Sequence, residues 1–245
     1  MAVRSDLLEQ ALAEDWYHTI ELAPGAVTRG WVDLRRVAPR LLPDLEGLRT
    51  LDVGTFDGFW AFSMERAGAR EVVATDLPSI EETQFPPLHR ERVLAELEGL
   101  QLGQRFSIAA ELLGSQVRRE ESPIHDLDAE QLGGTFDFAL VSDLLLHLRD
   151  PVGGLEAVRG VLAPGGRVLV TEQINLWLAL AHPRMPVAKM DAVGTLFNWW
   201  EGNPRCLRGW LELAGFARPH RRRYYRLSPR GYRGLWHLAL EARRG

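Results

Sequence analysis

The chain has 245 residues, a formal net charge of −4 and one cysteine, Cys206. A single cysteine excludes an intrachain disulfide and a cysteine-cluster metal site, and the lack of a basic excess argues against tight nonspecific nucleic-acid binding. The longest run without Asp, Glu, Lys or Arg, residues 173–183, is far shorter than the roughly 20 residues a membrane span requires, and the early charges Arg4, Asp6, Glu9, Glu14 and Asp15 leave no apolar leader core, so a cytoplasmic location without membrane contact is expected.

In chain order, Ser5 is placed to cap a helix running to Ala13, with Leu7, Leu8, Ala11 and Leu12 at helical spacing. A Gly- and Pro-rich loop spans 22–30, and a second helix is expected from Trp31 or Val32 to Leu42, stopped by Pro43. From Arg49 the pattern alternates strand and helix: strand 49–53, helix 59–67, strand 71–75, a mostly helical stretch 87–113, a weak strand 116–119, strand 136–141, helix 151–162 and strand 167–171. Such alternation implies parallel strands with helices on both faces and ligand-binding loops along one sheet edge. Segments 216–225 and 235–242 read as an antiparallel hairpin. Between strand and hairpin lies an insertion, 173–204, whose Trp177, Phe197, Trp199 and Trp200 suggest a lid or substrate wall. Residues 1–48 read as a helical extension covering the ligand edge, and 49–245 as the main domain.

Three stretches carry chemistry. The first is Asp52-Val53-Gly54-Thr55-Phe56-Asp57-Gly58, where glycines at a strand end let the backbone approach a bulky ligand. A dinucleotide fingerprint starting at Gly54 would need glycine at Phe56 and Phe59, so the spacing does not fit. Asp76, followed by Leu77, closes the next strand about 20 residues on and can accept both hydrogen bonds of a ribose diol. The third stretch runs from Phe136 through Ser142, Asp143 and His147 to Pro151, and Pro164-Gly165-Gly166 then turns into a further strand.

These motifs, in this order over 49–171, resemble the class I S-adenosylmethionine-dependent methyltransferases, although Phe56 stands where that family's acid-x-G-x-G-x-G pattern has its middle glycine. The resemblance implies a Rossmann-like, doubly wound α/β fold: a mostly parallel seven-stranded sheet with a C-terminal antiparallel hairpin, a helical N-terminal extension and an aromatic lid. It also implies S-adenosylmethionine as cofactor and S-adenosylhomocysteine as product. Asp52, Gly54, Thr55, Phe56, Asp57, Gly58, Asp76, Leu77, Ser142 and Asp143 would surround the cofactor. Ser122, Pro123 and Ile124 fall where the family's adenine-contacting loop lies, and Trp31 is a candidate, with Phe56, to face the sulfonium.

The flanking stretches Trp16-Tyr17-His18, Gly30-Trp31-Val32, Gly58-Phe59-Trp60 and Trp199-Trp200-Glu201 resemble the bacterial branch related to the tRNA wobble-uridine carboxymethyltransferase. A tyrosine which in that relative helps hold the cofactor's extra carboxylate corresponds to Leu146 here, so plain methyl transfer to a small-molecule acceptor is the expectation. A tRNA-modifying enzyme and a catalytically silent cofactor-binding protein are the alternatives. Base candidates are His147 and His18, with Tyr17 behind them; Trp16, Asn198, Trp199, Trp200 and Glu201 are acceptor-pocket candidates. Asn203 reads as the cap of a helix starting near Pro204. The arginine- and tyrosine-rich stretch 218–233 reads first as a solvated hairpin face. No metal is expected, and a homodimer is possible.

Overall fold

A computed structural model describes residues 2–245; Met1 lies outside the described residues. Helix α1 (Ala2–Ala13) begins three residues before the expected cap, so Ser5 lies within it. Four short strands follow: β1 (Asp15–His18), β2 (Glu21–Ala23), β3 (Ala26–Val27) and β4 (Arg29–Val32). The expected helix from Trp31 is therefore corrected. β4 pairs in parallel with β1, with Trp16 opposite Gly30, and only α2 (Ala38–Leu41) is helical. Tertiary pairing overrides the local pattern here: a side chain at Gly30 would collide with the backbone of His18 and Thr19.

The main sheet uses β5 (Arg49–Val53), β6 (Glu71–Asp76), β7 (Arg118–Glu121), β8 (Phe136–Ser142), β9 (Leu162–Gln173), β12 (Phe216–Leu227) and β13 (Leu235–Arg244). Between these run helices α3 (Phe59–Arg66), α4 (Arg90–Glu96), α5 (Gln104–Leu113), α6 (Pro151–Val161), α7 (Leu176–Ala181) and α8 (Pro204–Leu213), and the small strands β10 (Ala188–Met190) and β11 (Trp200–Gly202). The spatial order is β12-β13-β9-β8-β5-β6-β7. β5, β6, β7, β8 and β9 are mutually parallel, and β13 runs antiparallel to both β9 and β12. The Pro164-Gly165-Gly166 turn sits in an irregularity of β9, where pairing jumps from Phe136–Leu162 to Phe138–Arg167. The long helical stretch expected over 87–113 splits into α4 and α5 where Gly99 and Gly103 take φ of 83° and 82°.

Strand alternation sorts the core into two layers. Phe138 and Leu140 face the layer containing α3, α5 and the segment 11–45, including Trp16, Ile20, Leu34 and Phe62. Ala139 and Val141 face the layer with α6 and α8. Every residue of β5 is buried, as expected for a central parallel strand. Among the described residues no helix is long and apolar enough to cross a membrane.

The insertion folds around one side chain. Asn203 is fully buried and caps α8 as its position suggested, its Oδ1 accepting from Cys206 N (2.9 Å) and Val187 N (3.2 Å). Its Nδ2 donates to the carbonyls of His182 (3.1 Å) and Met185 (2.9 Å). Asn203→Ala strands four polar groups at once and is expected to cost about 2–4 kcal/mol, read from urea unfolding; protease cutting within 182–200 should rise with it.

Candidate active site

The parallel strands end along one edge, and two of those ends are locked together. β5 turns into α3 through 54–58, where Gly54 and Thr55 donate their N–H groups to the Thr75 carbonyl (2.9 and 3.0 Å). Phe56 N–H reaches Asp76 Oδ2 and Leu77 N–H reaches Asp76 Oδ1, both at 2.8 Å. Phe56 adopts φ 51°, a left-handed conformation uncommon outside glycine, at the position where the motif has its middle glycine. Each Asp76 oxygen accepts one backbone N–H and keeps a second acceptor position. Burial raises the Asp76 pKa, against the pull of those two N–H groups. Ser122 N–H on the Asp76 carbonyl (2.8 Å) brings the end of β7 alongside. Pro123 is half-buried there, whereas Ile124 is buried and turned into the core near Leu148 and Gly154.

Beneath the turn, Asp52 is 1% exposed. Its Oδ2 and the Thr55 hydroxyl both lack a hydrogen-bond partner. Burial pushes the Asp52 carboxyl up to about 7, against the pull of His18 and the Ala61 N–H.

The N-terminal segment brings aromatic groups against this turn. Tyr17 lies 5.4 Å from Phe56 and 5.6 Å from Trp31, centroid to centroid, and Trp31 meets Tyr232 of the hairpin at 5.9 Å. His18 is buried, stacked on Phe59 at 5.1 Å. Asp57 takes both its backbone N–H (2.7 Å) and its Nδ1 (2.6 Å). Expected to touch ligand, His18 and Asp57 instead clasp each other across 39 residues of chain. Trp16 also departs from expectation: it is 3% exposed, donates to the Ala11 carbonyl at 2.8 Å and belongs to the core.

A second cluster, at the end of β8, includes residues that sequence reasoning missed. Asp143 (φ 47°) receives Gln173 N–H at 3.1 Å and His237 Nε2 at 3.2 Å. The other His237 nitrogen, Nδ1, faces the Leu235 carbonyl at 3.1 Å. A ring with acceptors on both sides is satisfied only as the imidazolium. Burial opposes that charge, but Asp143 and the Leu235 carbonyl outweigh it and raise the pKa. Tyr225 stacks on the same ring at 5.1 Å. Buried Glu172 accepts the N–H groups of Leu144 (2.9 Å) and Leu145 (2.7 Å); burial, then the Asp143 charge, hold its pKa well above the carboxylate range. Burial, then the charges of Asp143, Asp57 and Glu172, raise the Tyr17 pKa, so its hydroxyl keeps its proton. Ser142 Oγ meets Thr171 Oγ1 at 2.8 Å. Glu172 had one legible signal, an acid closing a buried strand; His237 and Tyr225 reach the site only through hairpin pairing.

The insertion meets this edge at 145–147, one turn of 3₁₀ helix. Trp199 N–H donates to the Leu146 carbonyl (2.7 Å) and its indole to the Gln84 carbonyl. His147 Nδ1 lies 3.1 Å from the Phe197 carbonyl, and burial lowers its pKa, against that carbonyl and the Asp143 charge. The Trp200 indole points to the Arg149 carbonyl at 3.4 Å. Glu201 is committed to Asn175 (2.9 Å) and Gln173 (3.3 Å), and Asn198 is turned by Thr195 through its backbone. Among the described residues no group of three or more His, Cys, Asp or Glu is arranged to hold a metal ion.

The Asp52 shift has a definite sign. Its folded pKa exceeds its unfolded one, so the stability it contributes is present at low pH and is lost as pH rises toward 7. Asp52→Asn is therefore expected to narrow the loss of unfolding free energy between about pH 5 and pH 8 by roughly 1–3 kcal/mol. Urea titrations of both proteins at the two pH values check this.

The profile of the methyltransferase domain family matches residues 29–220. The tRNA U34 carboxymethyltransferase of Syntrophotalea carbinolica is 33% identical over 185 residues, covering 74% of this chain and 48% of the relative. The chain thus spans about half that protein's length. The ubiquinone biosynthesis O-methyltransferase of Xanthomonas euvesicatoria is 34% identical over 187 residues, covering 75% of this chain and 68% of the relative. Among solved structures, the N-terminal domain of EvdMO1 with bound S-adenosylhomocysteine superposes with a TM-score of 0.64 at 18% identity, covering 98% of this chain and 96% of that one. The Burkholderia thailandensis 1,6-didemethyltoxoflavin-N1-methyltransferase gives 0.55 at 20% identity, with 98% and 86% coverage. With the glycine turn, the strand-end acid and the sheet order already in place, these matches show that the chain belongs to the class I S-adenosylmethionine-dependent methyltransferases.

Proposed function

We propose that the chain methylates a small-molecule acceptor, with the adenosyl group seated at the end of β5 and β6. The observation that carries this reading is the Asp76 carboxylate, anchored by two backbone N–H groups yet keeping an acceptor position on each oxygen. That arrangement suits a ribose diol. The turn fits as well: a side chain at Gly54 would come within 3.0 Å of Leu144, so backbone alone forms that wall. Pro123 would flank the adenine, and Ser142 and Asp143 the methionine portion. Trp31 and Phe56 offer aromatic faces to a sulfonium.

S-adenosylmethionine supplies the methyl group on a sulfonium that leaves readily. The chain's own residues position the acceptor, keep water out and take up its proton. His147 is the base we assign. Its depressed pKa keeps the ring neutral near pH 7. Its Nδ1–H is engaged with the Phe197 carbonyl, which leaves the Nε2 lone pair for an acceptor O–H or N–H. Tyr17, which holds its proton, serves as a donor beside the acceptor. His18 positions the glycine turn through Asp57 and does no chemistry. Trp199 and Trp200, fixed through Gln84, Leu146 and Arg149, offer aromatic surface for a small acceptor, and this supports a small acceptor over tRNA. The O-methyltransferase relative points the same way.

Calorimetry with S-adenosylhomocysteine is expected to show binding that falls about a hundredfold or more in Asp76→Ala; unchanged binding would remove the cofactor assignment. Methyl transfer should appear with hydroxylated aromatic small molecules and not with unmodified tRNA, and transfer to tRNA alone would overturn the acceptor class. His147→Gln should lower kcat roughly 10²–10⁴-fold while leaving S-adenosylhomocysteine affinity intact.

A further inference from the structure

Away from the strand ends, a cleft of about 380 Å³ opens between α7, α8 and the β12–β13 hairpin. Arg205 and Arg208, three residues apart on α8, share its rim with Arg221 and His182. Tyr224, Leu238 and Leu240 contribute to its wall and floor. We propose that this cleft binds a phosphoryl group carried on a small organic molecule.

Backbone irregularity aims the hairpin's contribution. Arg221 pairs with Leu240 and Tyr224 with Leu238, and a bulge at Arg222 separates the two pairs. In a regular strand, residues three apart point to opposite faces; the extra residue puts Arg221 and Tyr224 on the same one. That face is the one on which Leu238 and Leu240 meet the α8 layer. The Arg221 guanidinium then lies 5.1 Å from the Tyr224 ring centroid.

Among the described residues the arginines of the cleft lack counter-ions. Arg222 binds Glu241 at 3.5 Å and Arg230 binds Asp15 at 2.7 Å. Arg205, Arg208 and Arg221 form no ion pair among the described residues, and Arg205 has only the Pro183 carbonyl, at 3.4 Å. The first turn of α8 adds the partial positive charge of a helix start. Three uncompensated guanidiniums repel one another, and a doubly charged phosphoryl group relieves that with charge-assisted hydrogen bonds. The leucine floor and the Tyr224 ring provide for an apolar body, and the volume suits a small molecule. The cleft also touches the lid's root, because Asn203 lines it while fastening His182 and Met185.

The test is a calorimetric titration of the full chain with phenyl phosphate at low ionic strength. One saturable site is expected, weakened about tenfold or more by Arg208→Ala and by Arg221→Ala. Arg222→Ala, which alters the other face of the strand, should leave it unchanged, and all three variants should bind S-adenosylhomocysteine normally, showing an intact fold. Absence of saturable binding, or binding indifferent to Arg208 and Arg221, overturns the proposal. Equal affinity for benzoate overturns the phosphoryl assignment. Binding of a short RNA that phenyl phosphate cannot displace would make this a nucleic-acid face instead.

Discussion

The two backbone hydrogen bonds accepted by Asp76 are the constraint on which the rest of the site depends. They tie the turn after β5 to the end of β6, and they hold Phe56 in a left-handed conformation that a bulky side chain resists. Strain of that kind persists only where neighbours over-determine it. Here Asp76 grips the N–H of Phe56, while Tyr17 packs edge-on to the ring. A phenylalanine thus occupies a glycine's place without displacing the turn, and its ring becomes part of the wall.

The site's electrostatics follow from placing acids at the ends of buried strands. Asp52, Asp76, Asp143 and Glu172 all lie along one edge, and burial alone would leave them poorly solvated. Three remedies serve the four acids. Asp76 and Glu172 collect backbone N–H groups, Asp143 meets the His237 ring and raises its pKa, and burial holds the Asp52 carboxyl up to about 7. The result is an edge rich in hydrogen-bond acceptors, where burial works against the charge of Asp52, Asp76 and Glu172.

Much of the strand-end edge was legible in the chain. Gly54, Gly58 and Asp76 advertise a strand–turn–helix and a strand-end acid by spacing alone, and the alternation from Arg49 onward announces the parallel sheet. The N-terminal region was misread because its helix-like apolar spacing after Trp31 competes with parallel pairing to β1, an interaction between segments that no local pattern displays. Similarly, His18 and Asp57 look like chemical groups in isolation. Their mutual hydrogen bonds exist only because β1 packs over the start of α3.

By itself, then, the amino-acid order determined the family, the α/β architecture, and the glycine turn and strand-end acid at the sheet edge, because these depend on short-range periodicity and on residues with few conformational equivalents. Tertiary structure decided the rest. It joined His237 to Asp143 across ninety-odd residues, turned Trp16 inward, and used one bulged residue in β12 to set Arg221, which in sequence looks like part of a solvated strand face, beside Arg205 and Arg208 of α8. Those outcomes hinge on which strands become neighbours and in what register, and a one-residue slip of register reverses the face every side chain presents.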